Sequence, residues 1–539
     1  MSEVPTSAAT GSLTDLDREI AVPNEPAELV AMALRGDWDA AVAYVKANYI
    51  SLLTESYATV TWLYRLMPAD VVAADPVMQT GREIFAKGDA PNPVVERPLP
   101  EDPQELEALA HRDDLRELLT VATGQAIVLR QIGLLEEAMA IVTRAEILAG
   151  LLSEPQREAV ADVLATLELQ WGITLQLGGD LQASVTPLQR SFTSHMRRAV
   201  EFLAGISASH AALTISMMGF NHQVDLWLQR HGDLPTVDGW IGAVAHVPAD
   251  VARALEALDR LDEPAAAAAL EPLRVLHQQE EFRAFVTYAF AQYELTFGHP
   301  LEGLARLDAP DPFDRGEWML GRGEYSALLV QVSAVDLCLA AGQGARASTV
   351  LSHMTSDQPL AALSQARYSL KSNEYDAALS SASAALWDRR ATPRTRAELC
   401  LIAATAEYLR GNDDRAVQEL ERAVAVIKGN RLLRALTTAP RLILEKLSPV
   451  VRGLPALLAD PALESARDVF AEDVQVVTLT DRELQLLRDL DSTETMKQIA
   501  RRQFVSLDTV RSHRLSLYRK LGAHSRSDAV IRGREWGFL

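Results

Sequence analysis

One short cassette recurs along most of the chain and constrains its fold more than any other feature. A Gly or Asn is followed five positions later by a small residue, each time where one helical pattern stops and another begins. It occurs as Gly36-Asp-Trp-Asp-Ala-Ala41, Gly133-Leu-Leu-Glu-Glu-Ala138, Gly179-Asp-Leu-Gln-Ala-Ser184 and Gly298-His-Pro-Leu-Glu-Gly303. It returns as Gly342-Gln-Gly-Ala-Arg-Ala347, Asn373-Glu-Tyr-Asp-Ala-Ala378 and Gly411-Asn-Asp-Asp-Arg-Ala416. Gly or Asn supplies the left-handed residue that closes a helix. The small residue lets the next helix approach closely, so each cassette predicts a helical hairpin. Spacings of 46, 44, 31 and 38 residues fit a tetratricopeptide-like stack. The gap of 119 residues between Gly179 and Gly298 has room for about three further units of degenerate sequence. A non-repetitive helical bundle is the plainer alternative, because the cassette is weak when met singly. No alternating β-branched run is long enough to suggest a sheet, so the fold class is all-α.

The punctuation sets the domain boundaries. Residues 1–25 are rich in Ser, Thr, Pro and Ala and read as a disordered tail. An N-terminal helical segment follows over 26–87. Prolines 91, 93, 98, 100 and 103 make 88–104 an extended linker. Helical pattern then fills 105–450, with Gly/Pro/Asp-rich interruptions at 231–250 and 308–324. A second linker is expected over 451–475, before a C-terminal domain over 476–539. Within the helical body Trp38, Trp62, Trp171, Trp227 and Trp387 fall at repeat positions and are expected to pack in the core. In the 308–324 loop, Phe313, Trp318 and Arg322 mark a candidate partner contact.

Charge separates the last domain from the rest. Over 539 residues the net charge is −21, which as an average argues against nucleic acid. From Val474 to Leu539, however, 12 Lys and Arg face 8 Asp and Glu, leaving the remainder at −25. A short basic module on an acidic body is the pattern of a nucleic-acid-binding appendage. It also suggests a body whose acidic surface holds the basic module inactive until a signal releases it.

The module is punctuated into four helices. Thr480-Asp-Arg-Glu483 and Thr495-Met-Lys-Gln498 are capping boxes that open the first two. Ser506 caps the third, which Gly522 ends, and Ser525 caps the fourth. Only Phe504-Val-Ser506 separates helices two and three, which is the helix-turn-helix signature. At 100° per residue, Val510, Leu517 and Leu521 share one face of helix three. Arg511, Ser512, Leu515 and Arg519 share the opposite face, with Asp508 beside them. In a major groove Arg511 suits guanine, Ser512 either base type, and Leu515 a thymine methyl. Lys497, Arg501, Arg502, Lys520 and Arg526 are then placed for phosphates.

These residues resemble the C-terminal DNA-binding domain of LuxR-type transcription regulators. The likeness rests on Leu479-Thr-Asp-Arg-Glu-Leu484, Lys497-Gln-Ile-Ala500, Val505-Ser-Leu-Asp-Thr-Val-Arg-Ser-His513, Arg519-Lys-Leu-Gly-Ala523 and Ser525-Arg-Ser-Asp-Ala-Val530. The resemblance implies base contacts at Arg511, Ser512 and Leu515 and phosphate contacts at Thr509 and Lys520, and it places His513 where the family usually has a histidine. Taken with the placed cations, the expected phosphate contacts are Lys497, Thr509, His513, Arg519, Lys520 and Arg526. It implies a homodimer on DNA through the last helix, with Ala529, Val530 and Gly533 at the interface. Thr493-Glu-Thr-Met496 departs from the family, which usually has Gly-Leu-Ser-Asn there. Glu494 puts a charge where an apolar anchor is usual, so domain stability or the angle of helix two is expected to differ. The body is similar, more loosely, to the helical-repeat region of MalT-like large LuxR regulators. That likeness is carried by Gly36–Ala41, Trp62–Pro68, Ala74–Pro76 and Asn430–Leu436. Those regulators carry an ATP-binding module, but no Gly-Lys dipeptide occurs here, so their nucleotide switch is not carried over.

No hydrolase, metalloprotease or dinucleotide motif occurs, and the histidines are scattered, among them His195, His210 and His222. No enzyme, cofactor or metal is therefore expected. Cys338 and Cys400 cannot form a disulfide framework, and no apolar run spans a membrane, so the expected location is the cytoplasm. The composite expectation is a transcription regulator whose body senses a ligand or protein partner and controls promoter binding. Double-stranded promoter DNA and RNA polymerase are its expected partners. The alternative is a protein-interaction scaffold with a weak or vestigial DNA reader.

Overall fold

The computed structural model describes residues 26–85, 99–235, 240–274, 280–308, 324–470, 479–492 and 494–539. The expected tail at 1–25, most of the proline-rich linker, the loop with Phe313, Trp318 and Arg322, and Thr493 lie outside the described residues. Every regular element among the described residues is helical. The chain divides into two compact units, 1–129 with 140–163 and 130–139 with 164–539.

The first unit opens with α1 (Ala27–Arg35), α2 (Trp38–Glu55), α3 (Tyr57–Leu66), α4 (Ala69–Ala73) and α5 (Pro76–Phe85). Leu29, Leu63, Tyr64, Met67 and Met78 form their core. Gly36 takes φ +73° and closes α1, while Asp37 accepts from the Ala40 amide and opens α2. Helices α6 (Pro103–Leu109), α7 (Leu115–Gln131), α8 (Leu135–Leu151) and α9 (Glu154–Ala159) follow, and then α10 (Ala161–Leu177), most of which belongs to the second unit. The expected linker already packs at its end: Leu99 is buried, and Asp102 caps α6 with Pro103 at its first position.

The second unit continues with α11 (Leu181–Arg197), α12 (Glu201–Met218), α13 (Asn221–Gly232), α14 (Trp240–Asp259), α15 (Glu263–Leu270), α16 (Arg283–Thr296) and α17 (Pro300–Asp308). It adds α18 (Glu324–Ala340), α19 (Gly344–Ser352), α20 (Pro359–Lys371), α21 (Tyr375–Trp387), α22 (Pro393–Leu409) and α23 (Asp413–Asn430). From α12 to α22, every second helix packs on the next of its kind, with intervening helices alongside, as in stacked hairpins. Gly36, Gly133, Gly179, Gly342, Asn373 and Gly411 all have positive φ. Gly298 does not. It follows the last turn of α16, and a Cβ there would meet the Glu294 side chain. The small residue five positions on is buried in every cassette: Ala41, Ala138, Ser184, Gly303, Ala347, Ala378 and Ala416.

The gap after Gly179 contains three more left-handed turns, at Ala199, Gly219 and Leu261. The residues five positions on, Ala204, Val224 and Ala266, are all fully buried. Two of these turns lack a Gly or Asn and the third lacks a small partner, so the cassette is not recognisable in the sequence. The expected interruption at 231–250 is largely helix, since α14 runs through Pro248. The buried helix α12 carries Ser, Thr and His that find partners. The Gln176 amide donates to the His210 carbonyl and the Thr214 hydroxyl and accepts from His210 Nδ1. Burial keeps His210 neutral, with its pKa pushed down to about 3. Trp62, Trp171 and Trp227 are core residues, but Trp387 ends α21 with its side chain 87% exposed.

The stretch expected as a linker over 451–475 is instead packed as far as it is described. A 3₁₀ turn at 433–438 leads to α24 (Arg441–Leu447), α25 (Leu454–Leu458) and α26 (Pro461–Ser465). Val451, Leu454 and Leu463 enter the core beside α22 and α23, and Val469 and Phe470 enter another beside α16, α18 and α20. Pro and Gly here shape short helices rather than an extended tether.

Candidate nucleic-acid interface

The last four helices are α27 (Asp481–Leu490), α28 (Met496–Arg502), α29 (Leu507–Leu521) and α30 (Arg526–Glu535). Both capping boxes are formed, at Thr480 with Glu483 and at Thr495 with Gln498. Ser506 and Ser525 accept from the Thr509 and Asp528 amides. Leu486, Leu487 and Leu490 of α27, Ile499 of α28, Val510, Leu517 and Leu521 of α29, and Ala529 of α30 make a shared core. The turn between α28 and α29 closes through Val505 N–H donating to the Ala500 carbonyl at 3.0 Å. Phe504 holds that turn at φ +56° with its side chain 95% exposed. A left-handed Phe costs roughly 1–2 kcal/mol.

Helix α29 carries the predicted two-faced pattern. Val510, Leu517 and Leu521 are buried, while Arg511, Ser512, Leu515 and Arg519 are exposed. Leu515 keeps 65% of its surface in solvent. Arg511 Nη1 lies 3.1 Å from Asp508 Oδ1 in an exposed pair that costs little to break. Thr509 and His513 are half-buried, and the Thr509 hydroxyl shares a 2.7 Å hydrogen bond with Ser506. Lys497 and Arg501 of α28 and Arg519 of α29 project into solvent with no ion pair among the described residues.

Three residues expected at phosphates, Lys520, Arg526 and Arg502, are occupied inside the domain. Lys520 Nζ lies 2.6 Å from Glu483 Oε2, a carboxylate that also accepts from Thr480 and Ser516. Burial alone would raise the Glu483 pKa. Hydrogen bonds from Lys520, Thr480 and Ser516 outweigh it and hold the value at about 2. Arg526 turns its guanidinium onto backbone carbonyls: Nε donates to Leu490 at 2.8 Å, Nη1 to Glu494 at 2.6 Å, and Nη2 to Ser492. It caps the C-terminal end of α27 with a positive charge. The exposed charge at Glu494 is met by Arg502, whose Nε and Nη2 lie 3.0 and 2.8 Å from Glu494 Oε2. Arg502 also reaches the buried Asp489 at 2.6 Å, and Gln503 donates to that same carboxylate. Polar ties therefore hold α28 where the family resemblance implied an apolar anchor.

Two of the expected dimer residues, Ala529 and Gly533, face inward. Ala529 is fully buried against the domain's own core, and a Cβ on Gly533 would lie 2.9 Å from a Leu487 methyl. Val530 is half-buried. The outward face of α30 is instead Ser527, Ile531 and Arg534, with Ile531 54% exposed. Elsewhere, no group of three or more His, Cys, Asp or Glu able to hold a metal occurs among the described residues. His231 and His246 form a pair at 2.9 Å that the sequence did not reveal. Cys338 and Cys400 are buried free thiols, both pushed up to about 12 by burial. No helix of the described residues is long and apolar enough to cross a membrane.

Comparison with known proteins identifies the same domain. Residues 477–532 match the family of bacterial regulatory proteins, luxR family, so the chain ends in a LuxR-type helix-turn-helix domain. Over 94 residues the chain is 35% identical to a nitrate/nitrite response regulator protein homolog of Haemophilus influenzae. That match covers 17% of this chain and 45% of the relative, so the chain spans less than half the length of that protein.

Proposed function

We propose that this protein is a bacterial transcription regulator that reads promoter DNA with α29. The observation that carries this is the exposed strip of Arg511, Ser512, Leu515 and Arg519 on the second helix of a LuxR-type helix-turn-helix. Arg511 releases Asp508 and pairs with a guanine edge, Ser512 bonds a neighbouring base, and Leu515 packs on a thymine methyl. Lys497, Arg501 and Arg519 meet phosphates, and Thr509 and His513 support them at the groove edge. Two copies pair on DNA through Ser527, Ile531 and Arg534. The helical body binds a small molecule or protein partner and controls this domain, with RNA polymerase as the downstream partner. The scaffold reading draws on the departure at 493–496, and Arg502 meets the Glu494 charge there, so nothing favours it.

The test begins with genome-wide mapping of bound DNA, followed by binding to the recovered sites. Arg511→Ala is expected to lose about 1–3 kcal/mol and the preference at one base position. A wild-type protein that binds all duplexes equally would overturn the assignment.

A further inference from the structure

Six buried charges run as a continuous ladder through the second unit, and one of them, Arg367, lies against Phe470, nine positions before Leu479. Asp259 of α14 holds the Arg394 guanidinium of α22 at 2.7 and 2.6 Å, and Arg394 also donates to the Ser216 carbonyl of α12. Arg434 lies 3.6 Å from Asp259 and 3.5 Å from Glu398 of α22. Arg367 of α20 then bridges Glu398 to Asp336 of α18. All six are buried, and three cations balance three carboxylates.

Arg367 has a further contact, its guanidinium carbon 5.0 Å from the centre of the Phe470 ring. One turn along α20, the buried Lys371 donates to the Phe470 carbonyl at 2.6 Å. Val469 N–H donates to the Thr437 carbonyl at 2.8 Å, and Asp468 accepts from the Arg441 amide at 2.9 Å. Val469 and Phe470 are 7% and 5% exposed, seated beside Leu295, Val335 and Tyr368. Only eight residues separate this anchor from Leu479.

We propose that residues 466–470 are a latch, and that the ladder sets whether it is closed. A buried ion pair adds little net stability, but removing one partner leaves a costly uncompensated charge. The rungs therefore hold or shift together. Arg367 is both the last cation of the ladder and the face on which Phe470 rests, so a change in hairpin stacking at α14 or α22 is felt at Phe470. Opening the latch adds five residues, up to about 17 Å, to the reach of the reader. The control of DNA binding rests on the proposed function. The latch itself does not.

The test uses the full chain. Trypsin cleavage after the exposed Arg467 is followed by mass spectrometry, and affinity is measured for a random-sequence 40-base-pair duplex at low salt. Phe470→Ala is expected to speed the cut about tenfold and to raise affinity at least threefold. Asp259→Asn, toward the far end of the ladder, is expected to speed the same cut. Phe470→Leu, which keeps apolar volume but loses the ring, should fall between wild type and Ala. An unchanged cut in Phe470→Ala or Phe470→Leu would refute the latch. A cut unchanged in Asp259→Asn, with helicity retained, would refute transmission. If Asp259→Asn fails to fold, hydrogen exchange of the wild-type chain decides: Val469 must open together with α20 and α22. A faster cut without tighter duplex binding would refute control of the reader while leaving the latch standing.

Discussion

Arg526 is the residue on which the sequence expectation and the geometry diverge most measurably. As a phosphate contact, its loss should lower the dependence of log affinity on log salt by about 0.9. As a clamp on α27, its loss should leave that slope alone and loosen the domain. Three of its hydrogen bonds are well formed, to the carbonyls of Leu490, Glu494 and Ser492. The site is half-buried, so water replaces part of what is lost. At about 1 kcal/mol each, the three amount to about 3 kcal/mol. Hydrogen-exchange protection in 479–492 and 525–535 should therefore fall roughly 100-fold in Arg526→Ala. Peptide-resolved exchange on the full chain measures this, and titrations at several salt concentrations measure the slope. Lys497→Ala and Arg501→Ala serve as opposites, with slopes lowered by about 0.9 each and protection unchanged. A lowered slope with unchanged protection in Arg526→Ala would show that the clamp is not what that residue is for.

The Glu483 carboxyl should make the reader acid-sensitive in a defined window. Its folded pKa of about 2 lies below the ordinary 4.5, so its contribution is complete above 4.5 and is lost as pH falls toward 2. Exchange protection in this domain, corrected for intrinsic rates, should fall across that window in wild type and stay flat, though lower at neutral pH, in Glu483→Gln. Ala378→Leu places a branched side chain at a fully buried hairpin contact and should cost about 1–3 kcal/mol by thermal denaturation. The same change at Ala345, half-buried on α19 away from that contact, should cost clearly less. Ile531→Asp should weaken binding to a two-half-site duplex without altering binding to a single half-site, as read by gel shift. Equal loss on both would place the dimer contact elsewhere.

Much of this protein was legible because its signals are local. A left-handed closing residue and a small residue five positions on are set by one turn's geometry. Six of the seven cassettes accordingly have positive φ, and Gly298, which does not, still leads to the buried Gly303. The faces of α29 followed from helical periodicity, which keeps Val510 inside and Leu515 outside whatever surrounds them. The turns at Ala199 and Leu261 were hidden because packing there imposes φ values that the residue types do not advertise.

What the sequence by itself determined was the all-helical class, the caps and the presence of a basic two-faced reader on an acidic body. Only the tertiary structure decided which cations are free. Arg526 and Lys520 look like Lys497 in sequence, but their partners lie 36 and 37 residues away on α27. Only tertiary structure turned α30, so that Ile531 rather than Ala529 faces outward. And only tertiary structure showed that Val469 and Phe470, in an apparent linker, are gripped by α20. The physical reason is common to all three. Periodicity and capping act within one turn of chain, whereas burial and ion pairing depend on which distant segments the fold brings together.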